Sequence, residues 1–250
     1  MATKPVTFVI HRCNIDENGA ALRRRRHEYS LEVNDRMTVL DALEVIRRDQ
    51  DWSLMYRHSC HHGSCGTCGM IVNGERKLAC LTQVTELEGA TFELQPLRSM
   101  NPLGDLAVDP SPLFADFPQG AGYLRRSELN ADRRKPFEVE HWERFEDCIE
   151  CGLCVSSCPV TESFMGPAAL AAYNREIINR PERRRELLAE VNVERGVWPC
   201  TRALNCSRVC PTGVYPARHI AELRKKLEQD GLTPAAQPGE KRARISQEDR

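Results

Sequence analysis

A chain of 250 residues, 41% hydrophobic and 28% charged, holds enough apolar material for real cores and is too apolar for wholesale disorder. Its 35 basic and 36 acidic residues leave a formal net charge of -1, so no global field points to nucleic acid or another polyanion. No apolar run approaches the roughly 20 residues that a bilayer demands. The opening residues carry no secretory apolar core, so the chain is expected to be neither exported nor membrane-spanning.

In chain order, residues 6–10 read as a strand, 16–19 as a turn, and 29–33, alternating polar and apolar, as the hairpin partner. Val39, Leu40, Leu43 and Ile46 recur at helical spacing behind Thr38, a good N-cap, with Asp41 in the first turn. Residues 70–72 form a strand that runs into an Asn73-Gly74 turn. Residues 91–95 are the last expected strand, stopped by Pro96. Four short strands around one helix make a β-grasp-like domain over residues 1–100. Residues 101–135, with Pro102, Gly104, Pro110, Pro112, Pro118, Gly120 and Gly122, read as a connecting segment laid over the surface. Residues 136–233 turn helical: 168–178, 182–193, and a helix opened by Pro216 with Ile220, Leu223 and Leu227 on one face. Residues 234–250 are polar and aperiodic, a loose tail.

Twelve cysteines, about 5% of the chain, fall below the density of disulfide scaffolds, and a reducing compartment favours metal ligation over disulfides. Eleven lie in three tight groups. Cys60-x4-Cys65-x2-Cys68 with a distant Cys80 has the spacing of plant-type [2Fe–2S] centres. Three thiolates from one loop and a fourth from a passing strand suit a small two-iron object. Gly63, Gly66 and Gly69 allow the loop to turn tightly and to aim N–H groups at sulfur. Zinc would use paired C-x2-C knuckles, a c-type haem needs a histidine after Cys68, and a Rieske centre needs two histidine ligands. His58, His61 and His62 are then loop histidines that donate hydrogen bonds or face solvent.

Cys148-x2-Cys151-x2-Cys154-x3-Cys158-Pro159 matches the bacterial ferredoxin run, in which the fourth cysteine serves the other cluster. The second run is Cys200-x2-Ala203-x2-Cys206-x3-Cys210-Pro211, in the same register but with alanine at one ligand position. Crossing the fourth cysteines gives Cys148, Cys151, Cys154 and Cys210 for a [4Fe–4S] cluster. It leaves Cys158, Cys200 and Cys206 for a cluster with one bare corner, expected as [3Fe–4S]; the rival is [4Fe–4S] with a non-cysteine ligand. The fold class is therefore α+β: an N-terminal β-grasp, plant-type [2Fe–2S] ferredoxin domain and a C-terminal all-α, bacterial-ferredoxin-like domain. Cys13 reads as a small buried hydrophobe.

The order of the three groups resembles the iron–sulfur subunits of succinate:quinone oxidoreductase and fumarate reductase, the complex II family, over about residues 5–230. The motifs that carry the likeness are Ser59-Cys60-His61-His62-Gly63-Ser64-Cys65-Gly66-Thr67-Cys68, Asp105-Leu106-Ala107-Val108-Asp109, Cys148-Ile149-Glu150-Cys151-Gly152-Leu153-Cys154, Gly166-Pro167-Ala168-Ala169-Leu170 and Gly196-Val197-Trp198-Pro199-Cys200. The resemblance implies an electron-transfer subunit with no complete active site of its own. Its partners would be a FAD-containing flavoprotein, membrane-anchor subunits and quinone, with any haem also held outside this chain. It implies a peripheral position on the cytoplasmic face of the inner (plasma) membrane, held there by the anchor. Many members place Trp after the Cys-Pro of the first run and His after the first cysteine of the second; here Pro159 is followed by Val160, and Cys200 by Thr201. Pro159, Val160 and Thr201 are thus the quinone-adjacent candidates.

Two other readings compete: fumarate reduction in the reverse direction, and an iron–sulfur subunit serving another flavoenzyme. A zinc or nucleic-acid-binding protein fits neither the charge nor the spacing. Arg23 to Arg26, Arg133-Arg134-Lys135 and Arg183 to Arg185 are basic clusters for lipid headgroups or partner subunits, the last favoured by its place between the two runs; an ordinary solvated helix face competes with this.

Overall fold

Alternation fixes the first strand. Val6, Phe8, Ile10 and Arg12 share one face, all buried, so the strand continues past its apolar stretch into a charged residue on the same inward row. The computed structural model describes residues 3–15, 21–119, 148–160 and 163–232, and within them β1 spans Thr3–Ile15 and β2 spans Ala21–Asn34. The two pair antiparallel from Thr3 opposite Asn34 onward. The expected turn at 16–19 lies outside the described residues.

Helix α1 (Val39–Asp49) opens with a capping box: Asp41 N donates to Thr38 Oγ1 at 3.1 Å, and Thr38 N donates to Asp41 Oδ2 at 2.9 Å. It buries Leu40, Leu43 and Ile46 in the same core as Phe8, Ile71, Phe92 and Leu94. Strands β3 (Gly69–Val72) and β4 (Glu75–Leu78) form the expected hairpin, and β5 is Thr91–Gln95. The sheet order is β2-β1-β5-β3-β4, with β5 parallel to β1. This sheet has five strands: to the four that the sequence marks, the Asn73-Gly74 turn adds β4, the short charged partner of β3.

Thr91–Gln95 is not the last strand. A further hairpin, β6 (Asn101–Gly104) and β7 (Ala107–Asp109), follows it, and then a single turn of helix, α2 (Ser111–Phe114). The turn residue Asp105 explains why this Pro/Gly-rich stretch is fixed. Its carboxylate is buried and accepts from Cys13 N at 2.9 Å and Met55 N at 2.8 Å, with Arg12 Nε 2.9 Å away. Residues 120–135 of the expected connector, and the start of the helical region at 136, lie outside the described residues.

The helical part comprises α3 (Leu153–Ser156), α4 (Pro167–Asn179), α5 (Arg184–Val191), α6 (Asn205–Arg208) and α7 (Pro216–Gln229). Leu170, Tyr173 and Ile177 of α4 meet Ile220, Leu223 and Leu227 of α7 in a second core. The expected tail, 234–250, is not among the described residues. Within the favoured basic cluster, Arg183 pairs with Glu186 at 2.7 Å and Arg184 with Asp230 at 3.0 Å. Among the described residues no helix is long and apolar enough to cross a membrane.

The two parts interlock. Leu153, the first residue of α3, is 1% exposed and belongs to the core of the sheet domain. Ser156 at the end of α3 accepts from Arg98 N at its Oγ (2.9 Å) and from Arg76 Nε at its carbonyl (3.2 Å).

Candidate metal centres

The loop after α1 brings the first group together. Cys60, Cys65 and Cys68 lie on it, and Cys80 follows β4, returned by the β3–β4 hairpin as Ala79 N donates to Cys68 O at 3.1 Å. Cys68 interacts with both Cys80 and Cys65. Backbone N–H groups of Ser64 and Cys65 point at Cys60 Sγ, at 3.3 and 3.4 Å. The environments split the thiols. Hydrogen bonds, first from the His62 backbone and then from Ser64, hold Cys60 down at about 5, whereas burial, reinforced by Cys80, pushes Cys68 up to about 12. A set of four thiols with N–H donors already aimed at one sulfur fits a [2Fe–2S] group.

The three histidines behave as loop histidines. His62 Nδ1 faces Cys60 O, and its Nε2 lies 3.0 Å from Ser64 Oγ. His58 stands between two partners, with Nδ1 3.1 Å from His61 Nε2 and Nε2 3.3 Å from Glu44 Oε1. His58 turns opposite ring nitrogens to Glu44 and His61, so the trio is hydrogen-bonded as a chain, and one ligand atom from each residue lies within 4.8 Å of the others.

The two runs cross. One cavity is lined by Cys148, Cys151, Cys154 and, from the second run, Cys210, and is walled by Ala168, Ala171 and Val214. Burial, with the neighbouring thiols adding, raises Cys148 to about 11, Cys151 to about 12 and Cys154 well above the ordinary thiol range. Val214 N donates to Cys210 Sγ at 3.3 Å. A second cavity is lined by Cys200, Cys206 and, from the first run, Cys158, together with Pro159, Thr201 and Ala203. Burial raises Cys158 and Cys206 too. Cys206 is also a neighbour of Cys154, so the two cavities adjoin. Metal binding would strip the proton from each of these thiols.

The local backbone repeats between the runs. Glu150 (φ 56°) and Gly152 (φ 74°) flank Cys151 in the left-handed region, and α3 follows. Arg202 (φ 57°) and Leu204 (φ 62°) flank Ala203 likewise, and α6 follows. Ala203 thus occupies the place of Cys151 with the ligand atom removed. Four thiols in one pocket and three plus a methyl group in the other suit a four-iron and a three-iron cluster respectively.

Of the quinone-adjacent candidates, Pro159 and Thr201 line the second cavity, while Val160 packs against the helical core. Residues 201–204 are all exposed, and Leu204 presents 46% of its surface. Small residues on α4 and α7 make room in both cavities: Ala168 and Ala171 line the first, Pro167 and Ala217 the second. The sequence reading met Pro167 and Ala168 only as part of a family motif and did not single out Ala171 or Ala217, since nothing local marks a helix alanine as a cavity wall. Cys13 is buried, with Sγ 3.5 Å from Asn14 O, and lines neither of the two helical-domain cavities.

Comparisons with known proteins match the two parts of the chain to two iron–sulfur domains in this order. Residues 7–115 match a family model described as a 2Fe-2S iron-sulfur cluster binding domain, and residues 144–214 match a 4Fe-4S dicluster domain. The chain is 32% identical over 234 residues to the mitochondrial succinate dehydrogenase [ubiquinone] iron-sulfur subunit of Candida glabrata, covering 90% of this chain and 92% of that one. It is 35% identical over 204 residues to the fumarate reductase iron-sulfur subunit of Mycobacterium tuberculosis, covering 77% and 81%. In fold it is similar to a chain of the Mycobacterium smegmatis Sdh1 complex in the apo form, with a TM-score of 0.71 at 23% identity over 93% of this chain and 99% of that one. The chain belongs to the family of succinate dehydrogenase and fumarate reductase iron–sulfur subunits.

Proposed function

We propose that this chain is the electron-transfer subunit of a succinate:quinone oxidoreductase, lying between the FAD of a flavoprotein subunit and quinone at a membrane anchor. Cys60, Cys65, Cys68 and Cys80 hold a [2Fe–2S] cluster; Cys148, Cys151, Cys154 and Cys210 hold a [4Fe–4S] cluster; Cys158, Cys200 and Cys206 hold a [3Fe–4S] cluster. When bound, these clusters supply one-electron carriers in series. The observation that carries the reading is the crossing: each cavity takes one cysteine from the other run, and Ala203 lines the one with three.

The chain's own residues do the rest. The buried wall of Ala168, Ala171 and Val214 keeps water from the thiolates of the four-cysteine cavity, and N–H donors to Cys60 and Cys210 stabilise negative charge on sulfur. The exposed 201–204 loop, with Leu204 outward beside the three-cysteine cavity, supports quinone and the anchor on that side. Pro159, Val160 and Thr201 then border the quinone, and the chain sits peripherally on the cytoplasmic face of the inner membrane. The same residues serve fumarate reduction when the potentials of the partners are reversed.

Purification of the assembled complex from its own host tests the reading. Cys206→Ser is expected to lose most succinate-driven quinone reduction while succinate still reduces an artificial flavin-side dye. Loss of both activities in equal measure, in complex that is fully assembled, contradicts it.

A further inference from the structure

The loop of the first thiol set and the first run of the second set touch through a residue with no side chain. Gly66 follows Cys65, and a Cβ placed on it would stand 2.3 Å from Ile149 O, 2.9 Å from Cys151 Cα and 3.0 Å from Cys151 Cβ. None of these is the end of a flexible side chain. Gly66 also holds φ +71°, a conformation that L side chains rarely adopt. Gly69 approaches the same residue: its Cβ would lie 3.0 Å from Cys151 O and 3.2 Å from Leu153 Cδ2, at an ordinary φ. One wall of the first loop is thus backbone seated on the backbone of Cys151, held by Leu153 in the sheet-domain core and by the two bonds to Ser156.

We propose that Gly66 is a positioning residue for electron exchange between the first and second centres: its missing side chain sets how closely Cys65 and Cys151 approach. This rests on the ligand sets proposed above. The exchange moves one electron; one centre is oxidised as the other is reduced, and no bond forms and no proton moves. A methyl group at Gly66 forces the loops apart by about an ångström before contact with Ile149 O becomes ordinary. The same group at Gly69 asks for a few tenths of an ångström.

The test uses the full complex with Gly66→Ala and Gly69→Ala. In the reduced wild type, two paramagnets held this close should broaden each other's EPR signals and speed the relaxation of the [2Fe–2S] signal. Gly66→Ala is expected to slow that relaxation and to slow electron arrival at the second centre several-fold in freeze-quench experiments. Gly69→Ala should do the same to a smaller degree. A merely structural role would lower thermal stability and leave relaxation where it was. If Gly66→Ala loses its [2Fe–2S] signal, Gly69→Ala decides alone. Wild-type relaxation and arrival rate in a variant that retains all three signals overturns the proposal. Absence of the [2Fe–2S] and [4Fe–4S] signals from wild type overturns the ligand sets, and the role of Gly66 with them.

Discussion

Arg12 is 3% exposed and sits where a strand reading expects an apolar side chain. Its guanidinium pairs with Asp51 and Asp105, donates to Tyr29 Oη at 2.6 Å and to Ser53 Oγ at 3.0 Å. Burial alone would lower its pKa, but the two carboxylates outweigh it and hold the charge more firmly than usual. Arg12→Ala strands Asp105 in the interior and is expected to cost about 3–5 kcal/mol in urea unfolding. A loss under about 1 kcal/mol would show that the network is not a fastening. The same scale holds the sharpest variant. Ala203→Cys restores a thiol in the register of Cys151 and is expected to convert [3Fe–4S] to [4Fe–4S], removing the EPR signal of the oxidised protein. It should also lower the cluster's potential and slow quinone reduction more than dye reduction. An undiminished oxidised signal, with the new cysteine confirmed by mass, contradicts the assignment. The cysteines were legible because ligand spacing along a run is local; Arg12 was not, because its partners lie roughly 40 and 90 residues away in sequence, at Asp51 and Asp105.

Between elements, α4 and α7 are joined by a buried polar hub. Asn174, fully buried, donates through Nδ2 to His219 Nδ1 at 3.0 Å and to Glu222 Oε2 at 2.8 Å, and accepts from Lys226. An imidazole nitrogen that accepts from an amide is deprotonated, so His219 is neutral in the fold. Burial lowers its pKa, against Glu222, which raises it, while Arg218 and Lys226 add to the lowering. The unfolded chain therefore binds the proton more readily. The stabilisation is complete above the unfolded value, near 6.5, and is lost as pH falls from there toward the folded value. Thermal unfolding of the wild type should show this loss as pH falls below about 7.5, and His219→Leu, though less stable, should show a shallower slope. Equal slopes would mean that His219 is not proton-linked. Periodicity made α1, α4, α5 and α7 legible in the sequence. Strand β4 was implied only by the Asn73-Gly74 turn, and β6 and β7 were not legible, since they are three or four residues long and owe their existence to pairing and to Asp105 rather than to a pattern.

At the scale of the molecule, the halves do not behave as beads on a linker. Leu153 of the helical half fills the sheet-domain core, and Cys151 carries the first loop on its back. Leu153→Ala is expected to cost about 2–5 kcal/mol. It should also loosen the first two centres together, read as faster iron loss from both in the presence of a chelator. Iron loss from only one of them would show that the halves are independent. The central claim is the division of eleven cysteines into sets of four, four and three. It is tested most directly by EPR of the purified complex, oxidised and then reduced in steps. The division predicts a [3Fe–4S] signal in the oxidised protein, then a [2Fe–2S] and a [4Fe–4S] signal on reduction. A complex with no signal when oxidised and two four-iron signals when reduced would contradict it.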